Sequence, residues 1–585
     1  MKRAFLWAFA ALLFALPAQA DDLKKIVDDY WQLRLERQPG LRLQRGLPIR
    51  DLPELSVEDL SKETAAYRAF IGRLDRIDSS SLSHDDWLTH AVLRWELADI
   101  VGFEEHLGVT PAVTPHSLPL GGIHEIFTRQ AFASREDLDV YLRLLRQYPR
   151  YVGQIRTITA WQQSRGYVVP KETVDQIAVL IRSYALAPEQ SLFTVAPERL
   201  ERIDPKNPED VERFRGEVAR IVSGEINPAL EALAAWLAGD YRKAAPDGVG
   251  LGQYPGGAEA YRFLVRSYTG LDVTPEEVHR RGLEAVARNE ARMAEIRKKV
   301  GFTGTRRQFH DLLRTDPRFL AKTPEETGER LMAPVRRIEP LIDRYFLRTP
   351  KAPYGVKRMD PAFEGSRTFG SYQAPSPADP SGWYLFNGSK LDQRPLANAA
   401  ALIYHELLPG HHFQIGLQME NKSLPEFRKD LFHTAFVEGW GEYASELGLE
   451  MGLYDDPYSE YGRLAMDMFL STRLVVDTGM NALGWPLSKA REYMRDHVLE
   501  SEVQIASETL RYSVNMPGQA LAYKMGSARI WELRRQAEKE LGAGFDLRRF
   551  HDAVLGSGSL PLSVLEKHIA WWIGQEKARN ISPHP

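Results

Sequence analysis

The chain of 585 residues contains no cysteine. Disulfides, thiolate metal sites, iron–sulfur clusters and a cysteine nucleophile are therefore excluded, as is a lipid anchor on a cysteine after a leader. Long apolar runs are also missing. Beyond the N-terminus no stretch approaches about 18 apolar residues, so a soluble mature chain is expected. Long basic runs are absent, the net charge is -4 and the sequence pI is about 6.5, which speaks against nucleic-acid binding. Internal repeats and low-complexity segments do not stand out. What remains is an ordinary globular composition, 43% hydrophobic and 26% charged, in a chain long enough for more than one core.

The N-terminus carries a targeting pattern. Lys2 and Arg3 precede an apolar run from Ala4 to Leu16, and Ala18-Gln19-Ala20 follows. The run is short for a membrane span, and the small-x-small triplet fits a cleavage site. Residues 1–20 are expected to be a signal peptide cleaved near Ala20, leaving an exported protein, periplasmic or secreted. Asn387-Gly388-Ser389 and Asn421-Lys422-Ser423 match the short glycosylation pattern.

The rest reads as mainly α. Helical spacing of apolar residues runs through 57–77, 83–107, 135–164, 171–186 and 208–240. Ser134-Arg135-Glu136-Asp137 and Thr274-Pro275-Glu276-Glu277 are helix starts. The Gly- and Pro-rich stretch Ala244 to Gly257 divides an N-terminal helical region, 21–250, from a catalytic region, 251–585. Residues 349–392 are poor in helix formers, and Gly382 to Gly388 reads as a short strand ending in a turn. The expected fold is a two-lobed helical metallopeptidase-like fold with this small β element beside the metal helix.

The chemistry concentrates in His405-Glu406-Leu407-Leu408-Pro409-Gly410-His411-His412. A standard zinc helix places two histidines four residues apart with a glutamate base between them. Here the next histidines fall at i+6 and i+7. On a continuous helix i+6 lies about 120° off the shared face, and i+7 lies about 10.5 Å along the axis. Neither can share an ion with ligand bonds of about 2.0–2.1 Å. Pro409 and Gly410 must interrupt the helix for His411 or His412 to return to His405.

A third ligand is available in Phe436-Val437-Glu438-Gly439-Trp440-Gly441-Glu442-Tyr443. Glu438 and Glu442 share a helix face. One suits the metal, the other a ligand histidine or a substrate amine. Arg511, Tyr512 and Tyr523 are candidates to stabilise an oxyanion. His124, His433, His497, His551 and His568 have no partner pattern; His433 is a possible outer support of the site.

Together these segments, with Val476-Asp477-Thr478-Gly479 and Pro517-Gly518-Gln519-Ala520-Leu521-Ala522-Tyr523-Lys524-Met525-Gly526, resemble a bacterial family known as domain of unknown function 885. That family is similar to gluzincin-type zinc metallopeptidases. The resemblance implies His405, His411 and Glu438 as Zn2+ ligands and Glu406 as general base. The family usually has a histidine where this chain has Asn481. The expected function is an exported zinc-dependent peptidase acting on short peptides, with the strand near Trp383 to Asn387 pairing with an extended substrate. A zinc hydrolase of a non-peptide amide or ester, or an inactive peptide-binding protein, are the competing expectations.

Overall fold

The computed structural model describes residues 2–116, 118–203, 207–364, 370–376 and 379–581, with backbone alone for 2–18, 362–363 and 580–581. The expected signal peptide, residues 1–20, therefore lies almost wholly outside the described side chains. The chain divides into two compact units. One is Met1–Ala260 with Ser513–Met516, and the other is Tyr261–Tyr512 with Pro517–Pro585.

In the first unit the helices begin where capping residues allow. Ser56 accepts from the Asp59 N–H ahead of Val57–Leu74, and Ser83 accepts from the Asp86 N–H ahead of His84–Glu105. The Asp137 carboxylate accepts from the Ser134 N–H at 2.8 Å at the start of Arg135–Gln163. Each satisfies amides that have no partner within the helix. The periodic segment 208–240 forms Pro208–Ile221, then wide turns at Val222–Ile226 and Leu237–Tyr241 around Asn227–Trp236. Pro228 lacks an amide hydrogen, and a wide turn just before it absorbs the missing bond. Phe127, Tyr141, Tyr148 and Phe193 fill the core with edge-to-face contacts.

The second unit carries a small sheet of β1 (Tyr354–Arg358), β2 (Ser371–Gln373) and β3 (Gly382–Phe386) in the order β1-β3-β2. β3 runs parallel to β1 and antiparallel to β2. The expected strand is present, but it is the central one. Both its sides are already paired, which overturns pairing of a substrate with the strand near Trp383 to Asn387. An edge belongs instead to β2.

Five helices build the site: α1 (Ala399–Glu406), α2 (His411–Glu420), α3 (Thr434–Glu450), α4 (Pro457–Asn481) and α5 (Ala522–Leu541). α4 packs along Pro275–Lys299, and α3 along α5. Val286, Met293, Phe309, Leu464, Met468 and Val475 fill the space beside α4. The described fold is mainly α, and no described helix is long and apolar enough to cross a membrane.

Candidate metal centre

The break in the helix is where the sequence demands it. α1 stops at Glu406 and α2 starts at His411. The Leu408–Pro409 peptide between them is cis. The turn folds back so tightly that a Cβ on Gly410 would overlap the His405 carbonyl oxygen, so glycine is required there. The chain therefore re-enters as a new helix rather than continuing through a bulge, and the two rings meet with centroids 4.5 Å apart at 78°.

α3 organises the rest, one residue at a time. Trp440 donates its ring N–H to the Pro409 carbonyl at 2.8 Å and so fixes the turn. Ser445 bonds the Ala401 carbonyl at 2.8 Å, tying α3 to α1. Gly441 faces the His405 ring, where a Cβ would lie 2.8–3.0 Å from three ring atoms. Only a hydrogen there lets the ring sit against the helix. One turn apart, Glu438 and Glu442 take opposite sides of that ring.

Glu438 Oε2 lies 3.4 Å from His405 Nε2 and 3.4 Å from His411 Nε2. Two ligands at about 2.1 Å from one tetrahedral ion are about 3.4 Å apart. Glu438 thus keeps the spacing of a shared tetrahedral ion to each histidine, and the three donor atoms all lie within 4.8 Å of one another. The N, N, O donor set suits zinc and other divalent ions. Among the described residues these three are the group able to hold a metal.

Glu442 does a different job. Its Oε1 accepts from His405 Nδ1 at 2.8 Å, and its Oε2 accepts from Arg463 Nη2 at 3.0 Å. That fixes the His405 tautomer with Nε2 free to ligate. His411 is held by less, since its Nδ1 is buried without a hydrogen-bond partner among the described residues. His412 turns away from the triad. Its Nδ1 meets the Tyr372 hydroxyl at 2.9 Å and its Nε2 the Ala352 carbonyl at 3.1 Å. Burial lowers it to about 4, so it is neutral, accepting from Tyr372 and donating to Ala352.

The electrostatics without an ion follow from this packing. Burial disfavours charge on His405, yet hydrogen bonds to Glu438 and Glu442 and the nearby carboxylates carry it up to about 10. Burial likewise opposes charge on Glu438, but the two histidines hold it well below the usual carboxylate range. Glu406 moves the other way. Burial raises it, only partly offset by His411, His405 and the Tyr372 backbone N–H directed at its carboxylate. A carboxyl held above its usual range by desolvation sits beside the three donors.

The three oxyanion candidates separate. Tyr523 stacks toward His405, with ring centroids 6.4 Å apart at 17°, and feels the Glu438 charge. Its oxygen accepts from Gln519, whose own carbonyl oxygen accepts from Arg511. Arg511 therefore stands behind Tyr523 rather than at the donors. Tyr512 is fully buried, gives its proton to Glu508 and accepts from Arg473 Nε at 2.7 Å. It has no proton left for an oxyanion.

Residues 39–569 match the family described as "Bacterial protein of unknown function (DUF885)". The chain belongs to this family. A "putative lipoprotein" from Colwellia psychrerythraea has a similar structure, with a TM-score of 0.86 and 25% identity over 95% of this chain and 100% of that one. A "putative lipoprotein of unknown function" from Shewanella oneidensis has a TM-score of 0.74 and 19% identity, covering 94% and 99%. No curated protein matches the chain.

In this member of the family, sequence reasoning missed Arg463, Arg473, Glu508 and Tyr372. A signal for the first two existed. α4 is buried nearly all round from Tyr461 to Asn481, and it carries Arg463 and Arg473 at 2% and 5% exposure; buried charges need partners. Asn481 is an internal tie, its amide donating to the Asp477 and Tyr512 carbonyls at 2.9 Å each. Of the other histidines, His124 bonds the Tyr148 hydroxyl, and His551 bonds Tyr443 and the Tyr345 carbonyl. Both Asn387 and Asn421 are engaged, each side chain donating to a main-chain carbonyl and accepting from the serine two residues on.

Proposed function

We propose that this protein is an exported zinc-dependent hydrolase of peptide bonds, gluzincin-like in its site, with the ion held by His405, His411 and Glu438. The observation that carries this reading is the spacing of those three donor atoms beside the buried carboxyl of Glu406. When bound, zinc supplies a Lewis acid for a carbonyl oxygen and lowers the pKa of water.

The protein's own groups do the rest. A Glu406 carboxylate oxygen takes a proton from the attacking water. The same oxygen then delivers that proton to the departing amine nitrogen. The Tyr523 hydroxyl donates to the oxygen on which negative charge develops. Gln519, oriented by Arg511, holds the Tyr523 oxygen in place. Short peptides are the proposed substrates. Export rests on the Lys2-Arg3, apolar, Ala18-Gln19-Ala20 pattern and agrees with relatives described as lipoproteins.

The decisive experiment is Glu406→Gln, assayed on a mixed peptide library with zinc content measured in parallel. It retains one zinc per chain and loses turnover. Unchanged turnover would refute the assignment. Cleavage of simple esters or non-peptide amides with the peptide library untouched selects the alternative hydrolase. Bound zinc with no turnover of any substrate selects a binding protein.

A further inference from the structure

The motif ends in two adjacent histidines, and they face different ways. Successive residues on a helix are about 100° apart. With His411 turned toward Glu438, His412 must look elsewhere, and it looks into the sheet. Both its ring nitrogens are used there, on the Tyr372 hydroxyl and the Ala352 carbonyl, and the Tyr354 ring packs 4.9 Å away. Tyr372 is the middle residue of β2, a three-residue edge strand. So short a strand has little pairing of its own to hold it. Its main-chain N–H is directed at the Glu406 carboxylate.

We propose that His412 is a positioning residue, which clamps β2 through the Tyr372 hydroxyl and thereby holds the Tyr372 N–H against Glu406. The paired histidines then divide the labour. His411 serves the ion, and His412 locks the same helix to the strand that orients the proton acceptor. The inference rests on the reading of Glu406 as that acceptor. One consequence is that two side chains that do not ligate the ion control turnover without controlling metal content.

The test uses His412→Ala, Tyr372→Phe and His412→Asn in the full chain. Amide exchange by mass spectrometry over Ser371–Gln373 reads the clamp directly. It should accelerate at least tenfold in His412→Ala and Tyr372→Phe, with zinc unchanged at one per chain. On the peptide library kcat should fall about tenfold or more while KM stays within about threefold. His412→Asn, which keeps an acceptor for Tyr372, should recover most of both effects. Unchanged exchange in both variants overturns the proposal, as does zinc lost in step with activity, which would make His412 a ligand. If His412→Ala does not fold, Tyr372→Phe, which removes a single oxygen, decides alone. A wild-type chain that binds zinc but cleaves no peptide refutes the peptidase reading, whereas the exchange arm still decides the clamp.

Discussion

Removing Glu442 should weaken both the fold and the metal, and the two losses can be separated. Glu442 is fully buried, and so is Arg463, 3.0 Å away. In Glu442→Ala the guanidinium is left in the interior with its partner gone. Losing one member of a buried pair costs about 3–5 kcal/mol, a large share of the roughly 5–15 kcal/mol that holds a typical protein folded. Replacing both members by apolar groups of similar volume is about neutral. Glu442→Leu with Arg463→Met should therefore return the metal-free protein to within about 1–2 kcal/mol of wild type, because Asp467 keeps its ion pair with Lys524. Wild-type metal affinity should not return. His405 Nδ1 still lacks the acceptor that orients the ring, and loss of such a support typically weakens affinity by about 10–100-fold, or about 1.4–2.8 kcal/mol. Urea unfolding of the metal-free protein followed by circular dichroism measures the first quantity. Competition for zinc against a chromophoric chelator measures the second. Wild-type zinc affinity in the stable double variant would refute the reasoning, since Glu442 would then matter only to folding.

The other expectations are as specific. Tyr523→Phe should keep zinc and lower kcat by about 10²–10³-fold, the usual cost of one oxyanion donor. Tyr512→Phe should instead destabilise by about 1–3 kcal/mol, because it strips a hydrogen bond from the buried Glu508 and Arg473; equal kinetic losses in the two variants would contradict the assignment. Glu438→Ala should lose zinc, and Gly441→Ala should do so in part by displacing the His405 ring; stoichiometric zinc in Glu438→Ala would remove it from the ligand set. Two buried groups give opposite pH slopes. Burial lowers His551 to about 3, so the unfolded chain takes up the proton first, and its contribution is full above pH 6.5 and is lost on acidification. Asp477 is raised by burial to about 7, so its contribution is present below its ordinary range and is lost as pH rises through 7. Each amounts to about 2 kcal/mol between pH 5 and pH 7. In urea midpoints at these two pH values, His551→Gln should lower the gain in stability from pH 5 to pH 7, and Asp477→Asn should raise it. The same sign of change in both would refute the burial argument.

Local chemistry is legible in a sequence, and much of this protein is local. Ser56, Ser83 and Thr274 cap helices because a hydroxyl one residue before a helix reaches its first free amides. The interruption at Pro409 also follows from counting, since no continuous helix returns either histidine to His405. What counting cannot do is choose between equal residues. Glu438 and Glu442 share a face of α3, and His411 and His412 are neighbours. Which member reaches the donor cluster depends on how α1, α2 and α3 approach one another.

Those approaches are set by contacts far apart in the chain. Trp440 seizes the carbonyl of Pro409, and Gly441 leaves room for one imidazole. Arg463, from the next helix, takes hold of Glu442. The rank of the strand at Gly382–Phe386 was equally hidden, because an alternating apolar run reads the same at the centre of a sheet as at its edge. The sequence by itself determined that the protein is mainly helical, that it has no thiol chemistry, and that the helix carrying His405 and Glu406 must break at Pro409. The family resemblance already implied His411 and Glu438 as the partners of His405, and the structure brings the three together; only the tertiary structure decided that Glu442 stands behind His405 and that His412 belongs to the sheet. The reason is physical: composition and spacing act within a few residues, whereas a metal site is closed by side chains that meet only after the helices have packed.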